Sequence, residues 1–149
     1  TTERGWSMHY LHRADEEQMD GWKPQILKTP GRFVLEHMGG VDPSKGIDGE
    51  GFKFVLKALD TGRCWVKLSA PYHGSKSGPP CYEDVAPLAQ ELVRAAPERM
   101  LWASNWPHPM VKKNFPDAAA LLDLVAGWAG SDAVRQRILV ANPAKLYGF

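Results

Sequence analysis

Ionisable and polar side chains recur where apolar runs of this chain give way to loops. Tyr10 and His12 close the first such run, Glu36-His37 the second, and Lys67 and Ser69 the third, with Tyr72 and His73 just beyond; Ser104-Asn105 closes the fourth, followed by His108. Imidazoles, carboxylates, amines and hydroxyls in this mix suit acid–base work, carbonyl polarisation and the holding of an anionic substrate. Nothing marks a covalent nucleophile: Cys64 opens an apolar run and reads as a core filler, and Cys81 follows two prolines. Each residue also admits a plainer role. A strand-end His often does no more than bond a neighbouring loop, Glu36-His37 suits a structural pair, and Lys67 suits a side chain snorkelling from a sheet edge. His9 and His12 flank Tyr10, so strand alternation lets at most two of these three face inward.

Behind these residues lies one pattern repeated four times: a short apolar strand, a loop, then a longer helix. The strands are expected at Trp6–Leu11, Arg32–His37, Cys64–Ser69 and Arg99–Ser104. Arg32–His37 is a continuous apolar run of the kind found in buried parallel strands. Helices are expected over Asp15–Leu27 (weakened by Gly21 and Pro24), Gly51–Leu59, Tyr82–Ala96 and Pro116–Trp128. Ser131 is placed to cap a further helix to Val140, and Asn142-Pro143 reads as an N-cap and first helical residue of a last one ending at Tyr147. The stretch Ala70–Pro80, rich in Gly, Ser and Pro, is a long loop of the kind that carries function. Alternating strands and helices imply parallel βαβ units, and in such folds chemistry sits at the carboxyl ends of the strands. Four strand ends that each deliver polar groups therefore point to one shared site.

The 149 residues are one domain's worth, with 44% hydrophobic and 23% charged residues, as in an ordinary globular protein. A formal net charge of +1 gives no electrostatic case for nucleic acid. No apolar run approaches the roughly 18 residues of a membrane span. The opening Thr1-Thr2-Glu3-Arg4-Gly5 lacks the basic-then-apolar pattern of a secretory leader. Two cysteines make neither a disulfide scaffold nor a paired zinc motif, so a reducing, cytoplasmic setting is expected.

Three segments carry a resemblance. Phe33-Val34-Leu35-Glu36-His37-Met38-Gly39-Gly40 resembles the V-[IL]-D-H-M-G strand of the amidohydrolase-related hydrolases, Trp65 to Tyr72 their W-[VF]-K-[LA]-S-x-P-Y strand, and Met100 to Pro109 their last strand, ending D-W-P-H-P. The ending Asn142 to Tyr147 is similar as well. Within the family the chain is most similar to the 2-pyrone-4,6-dicarboxylate lactonase branch. The resemblance implies α/β architecture, half of a (β/α)8 barrel, with residues 1–149 as the C-terminal half carrying strands five to eight. It implies a hydrolase that opens a lactone or related cyclic carboxylate by water attack on a carbonyl. His37 matches the His that polarises the carbonyl. Asn105 stands where the family has an Asp acting as general base, and a carboxamide takes no proton. His73 stands where the lactonases carry an Arg for a substrate carboxylate, and Tyr10 matches a substrate contact. Asn105 and His37 are thus the candidate catalytic residues; Tyr10, His12, Lys67, Ser69, His73 and His108 are the candidate substrate-binding set.

No His-x-His element is present, so no metal ligand is assigned and no cofactor is expected of this chain; a divalent ion such as zinc belongs to the complete family fold. The alternatives are a metal-dependent decarboxylase of the aminocarboxymuconate type and a non-catalytic half-barrel. The expected partner is a small carboxylated lactone, with neither nucleic acid nor membrane. Two open sheet edges favour self-association or a complementing N-terminal half.

Overall fold

Phe33, Val34 and Leu35 are all buried, which places them in the middle of a sheet covered on both faces. In the computed structural model, which describes residues 5–149, they form β2 (Phe33–Leu35), flanked by β1 (Met8–Tyr10) and by β3 (Cys64–Leu68), with β4 (Met100–Trp102) beyond. The order is β1-β2-β3-β4 and every pairing is parallel: Met8 lies beside Phe33, Phe33 beside Cys64, and Val66 beside Met100. The strands are shorter than the apolar runs that encode them. Trp6 and Leu11, 65% and 73% exposed, lie outside β1.

Alternation along the strands gives the sheet two different faces. Cys64, Val66 and Leu68 point with Phe33, Leu35 and Met100 into the main core, closed by Phe52, Val55 and Leu59 of α2 (Glu50–Asp60) and by Leu88 and Leu92 of α3 (Ala86–Ala95). α4 (Ala118–Ala129) adds Leu121, Val125 and Trp128 and is capped by Asp117, whose carboxylate accepts from the Ala119 amide at 2.8 Å. On the other face Val34, Trp65 and Leu101 form a smaller cluster, plugged by Leu146 from the last helix.

Three helical expectations change. Residues 15–27 hold a single 3-10 turn (Glu17–Met19) and a short α1 (Lys23–Leu27), because Pro24 is tolerated only in a helix's first turn. The helix expected from Tyr82 starts at Ala86 with Pro87 in its first turn, since Tyr82 takes a left-handed φ of 47°. Asn142 does not cap: α5 (Asp132–Gln136) passes through a π turn (Arg137–Ala141) straight into α6 (Asn142–Tyr147). Its buried amide instead donates to the Pro97 and Met100 carbonyls at 2.8 and 2.7 Å, tying the last helix to the start of β4. Ser131 does cap α5, accepting from Val134. The loop after β3 is pinned by Asp84, which accepts from the Ser75 and Ser77 hydroxyls and the Lys76 and Ser77 amides. Those bonds outweigh the cost of its burial and hold its carboxyl far below the usual range.

Candidate functional site

Three strands leave the sheet through left-handed backbone. His37 and Met38 beyond β2 have φ of 52° and 55°, Ala70 beyond β3 has 50°, and Asn105 beyond β4 has 59°. Such non-glycine conformations cost on the order of 1–3 kcal/mol each and gather at functional sites. At Gly40, φ +62°, the chain passes so close that a Cβ would lie 2.0 Å from the His12 carbonyl oxygen, so the loops after β1 and β2 meet only over a glycine. The sharp exits open a cleft of about 720 Å³ between these loops, lined by His12, His37, His73 and Asn105, with Arg13 and Met110 at its walls.

His37 is aimed by Ser69, a buried residue whose Oγ lies 2.8 Å from His37 Nδ1. The His73 ring stands edge-on to His37 with centroids 4.9 Å apart. Burial lowers the His37 pKa below its ordinary value, with nearby Glu36 opposing and Lys67 assisting. His73 is lowered by desolvation, then by His37 and Arg13. Both rings are therefore neutral at pH 7, able to accept a proton or to offer one N–H to a carbonyl oxygen. An uncharged His73 ring can meet a substrate carboxylate only through an N–H hydrogen bond. Arg13 and Lys45, neither singled out by the sequence, are cations lining the same cleft, Lys45 paired with Asp15 at 3.1 Å.

Asn105 lines the cleft and donates through Nδ2 to the Tyr72 hydroxyl at 2.9 Å; that hydroxyl lies 2.8 Å from His108 Nδ1. Burial raises the Tyr72 pKa, partly offset by the Asn105 amide. His108, expected in the substrate-binding set, is buried behind Tyr72 and does not line the cleft.

Lys67 takes a different place. Its Nζ and His9 Nδ1 each lie 2.7 Å from Glu36 Oε1, on the sheet face shared with Val34 and Trp65. Burial of Glu36 opposes its ionisation, but the hydrogen bonds from Lys67 and His9 prevail and lower its pKa. His9 faces this cluster because it lies beside Val34 in the sheet, and the same register turns Tyr10 to the helices beside Leu35. Tyr10 accordingly packs edge-on to Phe33 and bonds Thr29 at 2.7 Å, away from the cleft. Period-2 alternation along β1 puts His9 and Tyr10 on opposite faces, and the sheet register decides that His9 is the one beside Glu36. His12 reaches the cleft wall, but its ring packs edge-on to Phe54 and its nitrogens have no hydrogen-bond partner among the described residues. Burial lowers its pKa.

Among the described residues no three His, Cys, Asp or Glu side chains converge, and the Glu36 carboxylate is engaged by Lys67 and His9. The described residues of this chain thus bring together no three-donor set of their own. Among the described residues no helix is long and apolar enough to cross a membrane.

Comparison with known proteins gives a consistent picture. The amidohydrolase family matches residues 2–149. A 4-sulfomuconolactone hydrolase of Rhizobium radiobacter is 40% identical over 144 residues, covering 95% of this chain and 46% of that protein. A 2-pyrone-4,6-dicarboxylate hydrolase of Comamonas testosteroni is 37% identical over 126 residues, covering 79% of this chain and 41% of that one. The ligand-free crystal structure of an Agrobacterium tumefaciens protein superposes with a TM-score of 0.83 at 32% identity, over 99% of this chain and 51% of its own. The chain thus spans about half the length of the relatives it matches.

Proposed function

The chain belongs to the amidohydrolase family, and from that premise we propose that it supplies the C-terminal half-barrel and part of the active site of a hydrolase that opens a carboxylated lactone. The single observation that carries this reading is the convergence of His37, His73 and Asn105 on one cleft at the strand ends. The activities for which the two lactone-hydrolysing relatives are named support the substrate class.

In this mechanism His37, held through Nδ1 by Ser69, presents Nε2–H to the lactone carbonyl oxygen and stabilises the charge that develops there. Asn105 orients the attacking water through its carboxamide oxygen but takes no proton from it. The neutral His73 ring, in the same cleft, accepts that proton and returns it to the ring oxygen released when the acyl C–O bond of the lactone breaks. Arg13 faces the acidic substituent of the substrate. A complementing N-terminal half, or a second copy of this chain, closes the far side.

The test is hydrolysis of 2-pyrone-4,6-dicarboxylate by the chain supplied with the N-terminal half of a relative. The expected result is slow turnover that falls about 100-fold or more in His37→Gln, since positioned acid–base groups contribute roughly 10²–10⁴-fold. Asn105→Asp is expected to raise the rate, most at the acid end of the profile, below the lowered His73 pKa, where the imidazole is protonated and a carboxylate still accepts. Equal rates for His37→Gln and the natural sequence would overturn the assignment.

A further inference from the structure

The exit of β4 carries a hydrogen-bond chain with a direction. Asn105 Nδ2 donates to Tyr72 Oη, which lies 2.8 Å from His108 Nδ1. A phenol has one hydrogen. With its oxygen accepting from the carboxamide, that hydrogen goes to Nδ1, so Nδ1 is bare and the ring proton of His108 sits on Nε2. The three residues come from two strand exits, Tyr72 from the turn Pro71–His73 after β3, Asn105 and His108 from the loop after β4. The His108 amide also donates to the Asn105 carbonyl at 2.7 Å, so the two are held in one tight turn. Of the three, Asn105 alone lines the cleft and His108 is 4% exposed. A carboxamide whose nitrogen is held by Tyr72 turns its oxygen the other way.

We infer that Tyr72, braced by His108, is a positioning residue: it fixes the Asn105 carboxamide so that Oδ1, an acceptor, and not the NH₂ group faces the cleft. The inference rests on the proposed function only for what Oδ1 then meets, the attacking water. It also bears on why an amide stands at this position. An aspartate offers acceptors alone, so Tyr72's one hydrogen would face two acceptors, the carboxylate and Nδ1. That chain closes only if His108 donates from Nδ1 to Oη, whether its proton moves over from Nε2 or a second one is taken up. Residue type at position 105 and the occupancy of His108 Nδ1 are therefore coupled through one hydroxyl, and a carboxamide is the partner that suits a ring protonated at Nε2 alone.

The experiment reads hydrogen bonds and not turnover, so its outcome is separate from that of the activity assay. The chain is labelled with ¹⁵N-histidine, the His108 ring signals are assigned with His108→Gln, and two-bond ¹⁵N–¹H spectra are recorded at pH 7. The expected pattern is Nε2–H with bare Nδ1 in the natural sequence, loss of that fixed tautomer in Tyr72→Phe, and a proton on Nδ1 in Asn105→Asp. Exchange of the Asn105 side-chain NH₂ is expected to quicken about tenfold or more in Tyr72→Phe. If His108 carries its proton on Nδ1 in the natural sequence, the chain runs in reverse and the inference fails. It fails equally if His108 keeps one spectrum in all three proteins. Should Tyr72→Phe not fold, Asn105→Asp, alike in size and shape, decides the matter through the His108 spectrum.

Discussion

On the helix side of the sheet Phe33, Leu35, Val66, Leu68 and Met100 are fully enclosed by the helices, and β2 and β3 there hold regular extended backbone. At the strand ends the backbone turns left-handed at His37, Ala70 and Asn105, and three imidazoles sit with lowered pKa values around an open cleft. One region is built for burial and tolerates little loss of volume. The other carries strain and desolvated titratable groups, which the first region must offset. That division is what an active site on a packed scaffold requires: the enclosed face stabilises the chain, and the exits spend part of that stability on side-chain direction.

The comparison is sharpened most strongly by truncating the enclosed face. Phe52→Ala, at a residue 1% exposed in α2, is expected to lower stability by about 3–5 kcal/mol. Urea unfolding followed by circular dichroism measures it, and a loss below about 1 kcal/mol would mean that the core does not carry the fold.

A smaller effect is expected from pH, and it arises at the exits. His12, His37 and His73 are lowered below 6.5 in the folded chain, first by burial. The unfolded chain then binds more protons than the folded one between those depressed values and pH 6.5. Their neutral burial therefore carries no penalty above pH 6.5, and stability falls as pH drops below it. Thermal melts between pH 8 and pH 5 are expected to show a flat region and then a decline, shallower in His12→Phe. A stability that rises from pH 6.5 to pH 5.5 would reverse the assigned directions.

The smallest effect is expected where strain and packing oppose each other. Ala70→Gly relieves a left-handed φ of 50° but loses a buried methyl group and adds chain entropy. The net change in unfolding free energy is expected to stay within about 1 kcal/mol. A destabilisation beyond about 2 kcal/mol would show that Ala70 is a packing residue and not a strained hinge.

Much of this protein was legible in its residues. The apolar run Phe33–Leu35, the alternation along Cys64–Leu68 and the periodic faces of α2 and α3 depend on local side-chain pattern, so four parallel βα units and their order could be read directly. His37, His73 and Asn105 were singled out because strand ends host chemistry, and their shared cleft follows from the same topology. What the linear pattern could not settle was direction and pairing. Sheet register turned His9 inward and Tyr10 outward, and the same face drew Lys67 into an ion cluster with Glu36. Burial, a property of the assembled loops, favours the neutral form of His73. The bond from Asn105 through Tyr72 to His108 joins two strand exits 33 residues apart, a proximity that only tertiary packing creates. Residue types fix which bonds are possible, and the folded backbone selects among them, because a hydrogen bond needs its two atoms within about 3 Å.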